Sequence, residues 1–230
     1  MTADRAVLAG RSHPVTSDQS TRRAYARLGI TWPEWRSVAL LAACIFALTQ
    51  APPTAERLFG STDRVHVGTY WYWADFSQYL SAMREAATTG SLLVHDHLTA
   101  EPHTPALIYP LYAAIGVAAA ASGLPILSVY TIVEALARLA LPFAIYAYMA
   151  SLLERPGARI AATLLAIFAA SLGIWALFVS KLLNLGLVDD RALNTTVEAT
   201  TFGLFFIAPH VPLGLAATLV AALLYVRAAT

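Results

Sequence analysis

Among the residues able to do chemistry, Asp75 has the best-defined setting. It follows Trp71, Tyr72 and Trp73 and opens a stretch to Thr89 in which Phe76, Leu80, Met83 and Ala87 recur at helical spacing. Ser77, Gln78, Ser81, Arg84, Glu85 and Thr88 take the other face, and Gly90 stands where a helix stops. Such an amphipathic helix lies along a membrane surface, with the aromatic residues before it at headgroup depth. The plain reading of Asp75 is an N-cap, with Gln78 completing a capping-box-like pair. The chemical reading is a carboxylate held at the lipid–water boundary as a general base. The two are compatible, because a cap fixes the side chain's position.

Four of the six histidines, His66, His95, His97 and His103, fall in one polar loop with Asp96, Thr99 and Glu101. His and carboxylate both bind divalent ions, and His95, His97 and Glu101 are the candidates for doing so. Their spacing matches no established zinc motif, so a solvated loop without metal is the expectation. Glu134 and Arg138 stand four apart in an apolar run, in the order that favours an ion pair on a helix. Charges there are expensive, and the pair either orients the helix or lines a polar cavity. His210 lies between Pro209 and Pro212, about two turns into the last apolar run, which suggests a broken helix beside a cavity. Glu198 precedes that run, where a helix dipole stabilises an acid.

The elements that must position these residues are set by composition. Of 230 residues, 58% are hydrophobic and 13% charged, against roughly half and a quarter in soluble domains. The expected fold is all-α, a polytopic transmembrane helix bundle. Residues 1–31 read as a disordered tail and 32–230 as the transmembrane domain. Spans are expected at about 33–51, 126–153, 160–180 and 202–226, the first ended by Pro52–Pro53. The loop 52–125 is expected to hold interfacial helices at about 75–89 and 105–121. The single cysteine, Cys44, can form no internal disulfide. A net charge of +1 gives no reason to expect nucleic acid as a partner. No signal peptide or internal repeat is visible.

Charge sidedness orders the spans. Arg5, Arg11, Arg22, Arg23, Arg27 and Arg36 gather before or at the start of the first span, which places the N-terminus in the cytoplasm. The next loop balances Arg57, Arg64 and Arg84 against six acids and is expected outside. If 105–121 spanned, the Glu154–Arg159 turn would fall outside. If it lies in the interface, that turn is inside with Arg227, and this is the favoured order.

The arrangement resembles the membrane-embedded GT-C class of glycosyltransferases, in particular uncharacterised bacterial members. Trp73-Ala74-Asp75-Phe76-Ser77-Gln78-Tyr79-Leu80 is similar to the essential Asp and first juxtamembrane helix of their first outer loop. Pro105 through Gly116 is similar to the second helix, and Glu198-Ala199-Thr200-Thr201-Phe202 with Pro209-His210 to a further pattern. The resemblance implies an enzyme of the bacterial cytoplasmic membrane that moves a sugar from a polyprenyl-phosphate donor to an acceptor outside. It implies Asp75 as catalytic base, and Arg84, Glu101, His103, Arg138, Glu198 and His210 as substrate-binding residues. The paired acids of metal-dependent oligosaccharyltransferases are absent around Asp75, which argues for metal-independent chemistry and no cofactor. Family members have more spans, hence the expectation of an N-terminal portion of a longer protein. The rival readings are a transporter or channel component, with Glu134 and Arg138 in the path, and a non-enzymatic membrane scaffold.

Overall fold

A computed structural model describes residues 29–60, 73–169, 183, 201–206 and 208–229. Every regular element among them is helical, apart from an isolated antiparallel bridge between Val94 and Ala106. The order is α1 (Trp32–Phe59), α2 (Trp73–Thr89), α3 (Pro110–Ser122), α4 (Ile126–Leu152), α5 (Pro156–Phe168), a 3-10 turn (Gly203–Phe206) and α6 (His210–Ala229). Two of these, α4 and α6, are long and apolar enough to cross a membrane. Leu40, Leu48, Leu136, Leu165 and Leu224 are all exposed, the outward apolar surface that a lipid solvent would cover.

Helix α4 is the centre. Its C-terminal half packs on α1, α5 and α6 through Ile45, Leu141, Ala144, Ile145, Ile167, Phe205 and Ala216. Its N-terminal turns carry Val129 and Tyr130 into a second cluster with Phe76, Met83, Ala86, Tyr112 and Ile115 of α2 and α3. The α2–α3 pair therefore sits at one end of α4. The other end is fastened by a buried carboxylate. Glu34 Oε1 accepts from Tyr146 Oη at 2.5 Å and from Arg159 Nη1 at 2.9 Å, while Oε2 accepts from the Thr31 amide and hydroxyl at 2.7 and 2.8 Å. Arg159 Nε also donates to the Leu153 carbonyl at 2.8 Å. The start of α1 and the α4–α5 turn thus lie at the same end of the molecule.

Several boundaries differ from the sequence expectation. Helix α1 does not end at Pro52–Pro53 but continues to Phe59. Two prolines remove two amide donors, yet their fixed φ is helical and the chain passes through. Helix α2 starts at Trp73, so Asp75 lies inside its first turn and is no N-cap. Helix α3 starts at Pro110 rather than 105, with proline at its first position and Ala106 drawn into the bridge to Val94. Its 13 residues span only about 20 Å, short of the ~30 Å hydrocarbon thickness. Helix α5 stops at Phe168, where Ala169 turns extended, inside the expected 160–180 span. The expected 202–226 span is broken: a 3-10 turn comes first, and α6 starts only after Pro209. The 1–28 part of the tail lies outside the described residues.

Helices α2 and α3 cross at Gly116. A Cβ there would stand 2.1 Å from the Met83 carbonyl oxygen and 3.1 Å from the Ala86 Cβ. Backbone cannot swing aside as a flexible side chain would. Gly116→Ala should therefore destabilise by about 1–3 kcal/mol, the usual range for overpacking. Gly157→Ala, with nothing within 4 Å, should stay within about 0.5 kcal/mol. Thermal melting of the two variants in detergent checks this, and equal melting temperatures would refute the close crossing.

Candidate functional site

Tight packing of α2 on α3 sets their aromatic residues face to face. Tyr79 stacks on Tyr112 with centroids 4.0 Å apart and planes 2° from parallel. Tyr109, one turn before Tyr112, meets Tyr79 edge-on at 5.6 Å and donates its hydroxyl to Gln78 Oε1 at 3.1 Å. Gln78 thus serves Tyr109 instead of a capping box. The start of α6 closes the group: His210 Nδ1 is 2.7 Å from Tyr112 Oη, and its ring is 5.5 Å from Tyr79. His210 is at the first position of α6, not two turns into a span. Pro212 fits there because first-turn amides have no acceptor within the helix.

Asp75 is exposed one turn before Tyr79 on α2. Its charge reaches both Tyr109, just before α3, and Tyr112 on it. Burial, then the charges of Asp96 and Asp75, push the Tyr109 phenol up. Burial, reinforced by Tyr130 and Tyr79 and then by Glu134 and Asp75, pushes the Tyr112 phenol far above its ordinary range. Glu134 also pairs with Arg138 at 2.8 Å, and Arg138 is buried, its Nε without a hydrogen-bond partner among the described residues. Pro142, four residues on in α4, denies the Arg138 carbonyl its helical amide. An orphaned guanidinium N–H can receive an anionic oxygen.

Of the sequence candidates, the structure sets His210 against Tyr79 and Tyr112 and Asp75 one turn before Tyr79, while Arg138 lies on α4 beyond Tyr130, paired with Glu134. It does not bring Arg84 there. Nine residues beyond Asp75, it falls about 180° around the helix and is exposed. His103 is taken up by its own loop: Nδ1 meets the Glu101 carbonyl at 2.8 Å and Nε2 accepts the Asp96 amide at 2.8 Å. Glu101 is exposed on that loop, and Glu198 lies outside the described residues. The three tyrosines were not assigned roles from sequence, although Tyr109 and Tyr112 at i, i+3 announce a shared face. A separate cleft of about 310 Å³ between α1, α4 and α5, lined by Val38, Leu41, Cys44, Tyr146 and Leu164, is apolar and holds none of the candidates.

The loop after α2 folds back onto Glu85. Gly90 takes φ +69°, the left-handed turn that glycine accepts, and reverses the chain. Glu85 Oε1 then meets His95 Nδ1 at 2.6 Å, and Oε2 meets His97 Nε2 at 3.1 Å and the His95 amide at 3.0 Å. Glu85, not Glu101, is the carboxylate the two imidazoles face. Among the described residues no group of three His, Cys, Asp or Glu could hold a metal ion.

Burial pushes the Glu85 carboxyl up, but hydrogen bonds from the His95 side chain and amide and from His97 outweigh it and hold the group below its ordinary 4.5. A depressed carboxylate stabilises the fold above its unfolded value and loses that contribution as pH falls through the folded one. The loop clamp should hold above pH 4.5 and weaken below it. Hydrogen exchange at the Val94 and His95 amides should accelerate over that window. Glu85→Gln should abolish the pH dependence and loosen the clamp at neutral pH by about 1 kcal/mol. No family model matches the chain, and neither does any curated protein or solved structure.

Proposed function

We propose that the chain is an integral membrane glycosyltransferase that moves a sugar from a polyprenyl-phosphate donor to an acceptor hydroxyl on the outer face. The observation that supports this best is an imidazole set against an aromatic wall beside an exposed carboxylate, drawn from α2, α3 and α6, with a buried guanidinium whose N–H is orphaned on the adjoining α4. In this reading α1, α4, the expected 160–180 span that begins in α5, and α6 cross the cytoplasmic membrane with the N-terminus inside, and α3 rests in the outer interface. The shared end of the α1 start and the α4–α5 turn fits that order, since both carry arginines that belong on the cytoplasmic face.

The chemistry follows from the groups. The Asp75 carboxylate takes the proton of the acceptor O–H as its oxygen bonds to the anomeric carbon. The bond between that carbon and the phosphate oxygen breaks, and the phosphate leaves with the electron pair. Its departing charge needs stabilisation rather than a proton, and Arg138 and the His210 N–H supply it. The tyrosine rings offer flat faces for the sugar, and the exposed leucines of the helices suit the polyprenyl chain.

Asp75→Asn separates chemistry from structure. Asp75 is not a cap, so the substitution removes only a first-turn charge, about 0.3–1 kcal/mol. Expression and melting temperature should stay near wild type, while transfer from labelled polyprenyl-phosphate sugars in membranes falls by roughly 10²–10⁴-fold. Near-normal transfer by the Asn variant would remove Asp75 as the base.

A further inference from the structure

The cleft between α1, α4 and α5 takes no part in the chemistry above, yet its walls and rim are specific. It measures about 310 Å³, with Val38, Leu41 and Ile160 among its apolar lining. Three polar side chains also border it, and each already donates its hydroxyl within the protein. Ser37 donates to the Pro33 carbonyl at 3.2 Å, Tyr146 to Glu34 at 2.5 Å and Thr163 to the Arg159 carbonyl at 2.8 Å. An occupant therefore meets a surface that asks for no hydrogen bond. Leu40, Leu164 and Cys44 on the rim are exposed, so the cleft opens sideways from the helices. In a bilayer, water finds too few partners in such a groove, and an empty groove forfeits contacts along its lining. A hydrocarbon chain fits it.

A more open depression over Pro33, Arg36, Ser37 and Leu40 adjoins the cleft, since Ser37 and Leu40 border both. It brings a cation to the mouth. Arg36 is exposed and makes no ion pair among the described residues, and the acid two residues before it, Glu34, is turned inward to Tyr146, Arg159 and Thr31. Glu154 and Arg155, both exposed in the α4–α5 turn at the same end, offset each other. Cys44 follows Arg36 by eight residues on α1, about 12 Å at the helical rise. Half of the hydrocarbon core is roughly 15 Å. Charge and trough together are thus as long as one leaflet, with the cation at headgroup level and the apolar groove running toward the midplane.

We infer that the cleft binds one chain of an anionic glycerophospholipid of the cytoplasmic leaflet, whose phosphate pairs with Arg36. The inference takes the side of the membrane from the proposed topology and nothing from the transferase chemistry. Lipid chains are as apolar as leucine, so the groove gives fit and the headgroup must give selectivity. Anionic headgroups of the cytoplasmic leaflet are drawn to arginines at that surface, whereas a zwitterionic headgroup brings its own cation. The polyprenyl donor is the poorer occupant, because the proposed transfer site lies at the opposite end of α4.

The test titrates the full chain in detergent with dioleoyl phosphatidylglycerol or dioleoyl phosphatidylcholine and counts bound lipid by native mass spectrometry. Wild type should hold phosphatidylglycerol about fivefold more tightly than phosphatidylcholine, the preference one near-surface arginine supplies. Arg36→Ala should erase that preference, and Arg84→Ala, which removes an equal charge from α2, should keep it. Cys44→Trp, which fills the trough and leaves Arg36, should weaken both lipids. Phosphatidylglycerol should also slow the alkylation of Cys44 by N-ethylmaleimide in wild type, and less so in Arg36→Ala. Equal retention of the two lipids by wild type, an unchanged preference in Arg36→Ala, or alkylation indifferent to lipid would overturn the inference. So would displacement of phosphatidylglycerol by equimolar polyprenyl phosphate, which would give the cleft to the donor lipid. A dimer that protects Cys44 without lipid would give it to a second copy and overturn it equally. None of these readouts needs sugar transfer, so a chain that passes them without transferase activity keeps the lipid site and loses only the transferase reading.

Discussion

Helices α2 and α3 meet so closely at Gly116 that a methyl group added there would stand 2.1 Å from a backbone oxygen. Most of the candidate site is a consequence of that approach. Small residues on both sides, Ala82, Ala86, Ala113 and Ala119, let the backbones close and are almost wholly buried. Tyr79 and Tyr112, each one turn before the crossing, are then forced to stack rather than diverge, and the stack presents Tyr112 Oη to α6. A larger residue at 116 would widen the crossing and dissolve the geometry that fixes His210. Dispersion over such a contact is collectively large, although each atom pair contributes little.

The opposite end is organised by charge instead of close packing. Glu34 is 5% exposed and Arg159 7%, so neither ion recovers its hydration from water. A pair of this kind is tolerable only when further hydrogen bonds complete each partner, as Thr31, Tyr146 and the Leu153 carbonyl do here. Such a network adds little net stability over an apolar replacement. What it supplies is register, because removing one partner strands the other. It fixes which end of α5 meets the start of α1, and hence which end of α4 is left for α2 and α3.

Local signals made parts of this legible. The apolar run bounded by Pro125 and Glu154-Arg155-Pro156 gives α4 nearly to the residue, and the amphipathic period ending at Gly90 gives α2. The Glu134–Arg138 pair is readable because its spacing is local. What escaped joins distant parts of the chain. Tyr112 and His210 are 98 residues apart and Glu34 and Arg159 are 125 apart, and no period in a sequence records such pairings. The prolines misled in both directions. Pro52–Pro53 passes inside a helix, and Pro209 marks a true break, a difference decided by neighbours rather than by the residue itself. Glu85 read as a solvated face because the loop that covers it returns ten residues later.

The two ends of α4 differ in character, a polar aromatic site at one and an ion-pair lock at the other, and the proposed topology puts the first outside the membrane and the second inside. Cysteine accessibility reads this directly. In a Cys44→Ser background, Thr99→Cys lies on the loop beside the site and Gly157→Cys on the α4–α5 turn beside the lock. A membrane-impermeant maleimide added to intact cells should label Thr99→Cys at once and Gly157→Cys only after permeabilisation. Labelling of both positions from outside would place site and lock on one face and contradict the account.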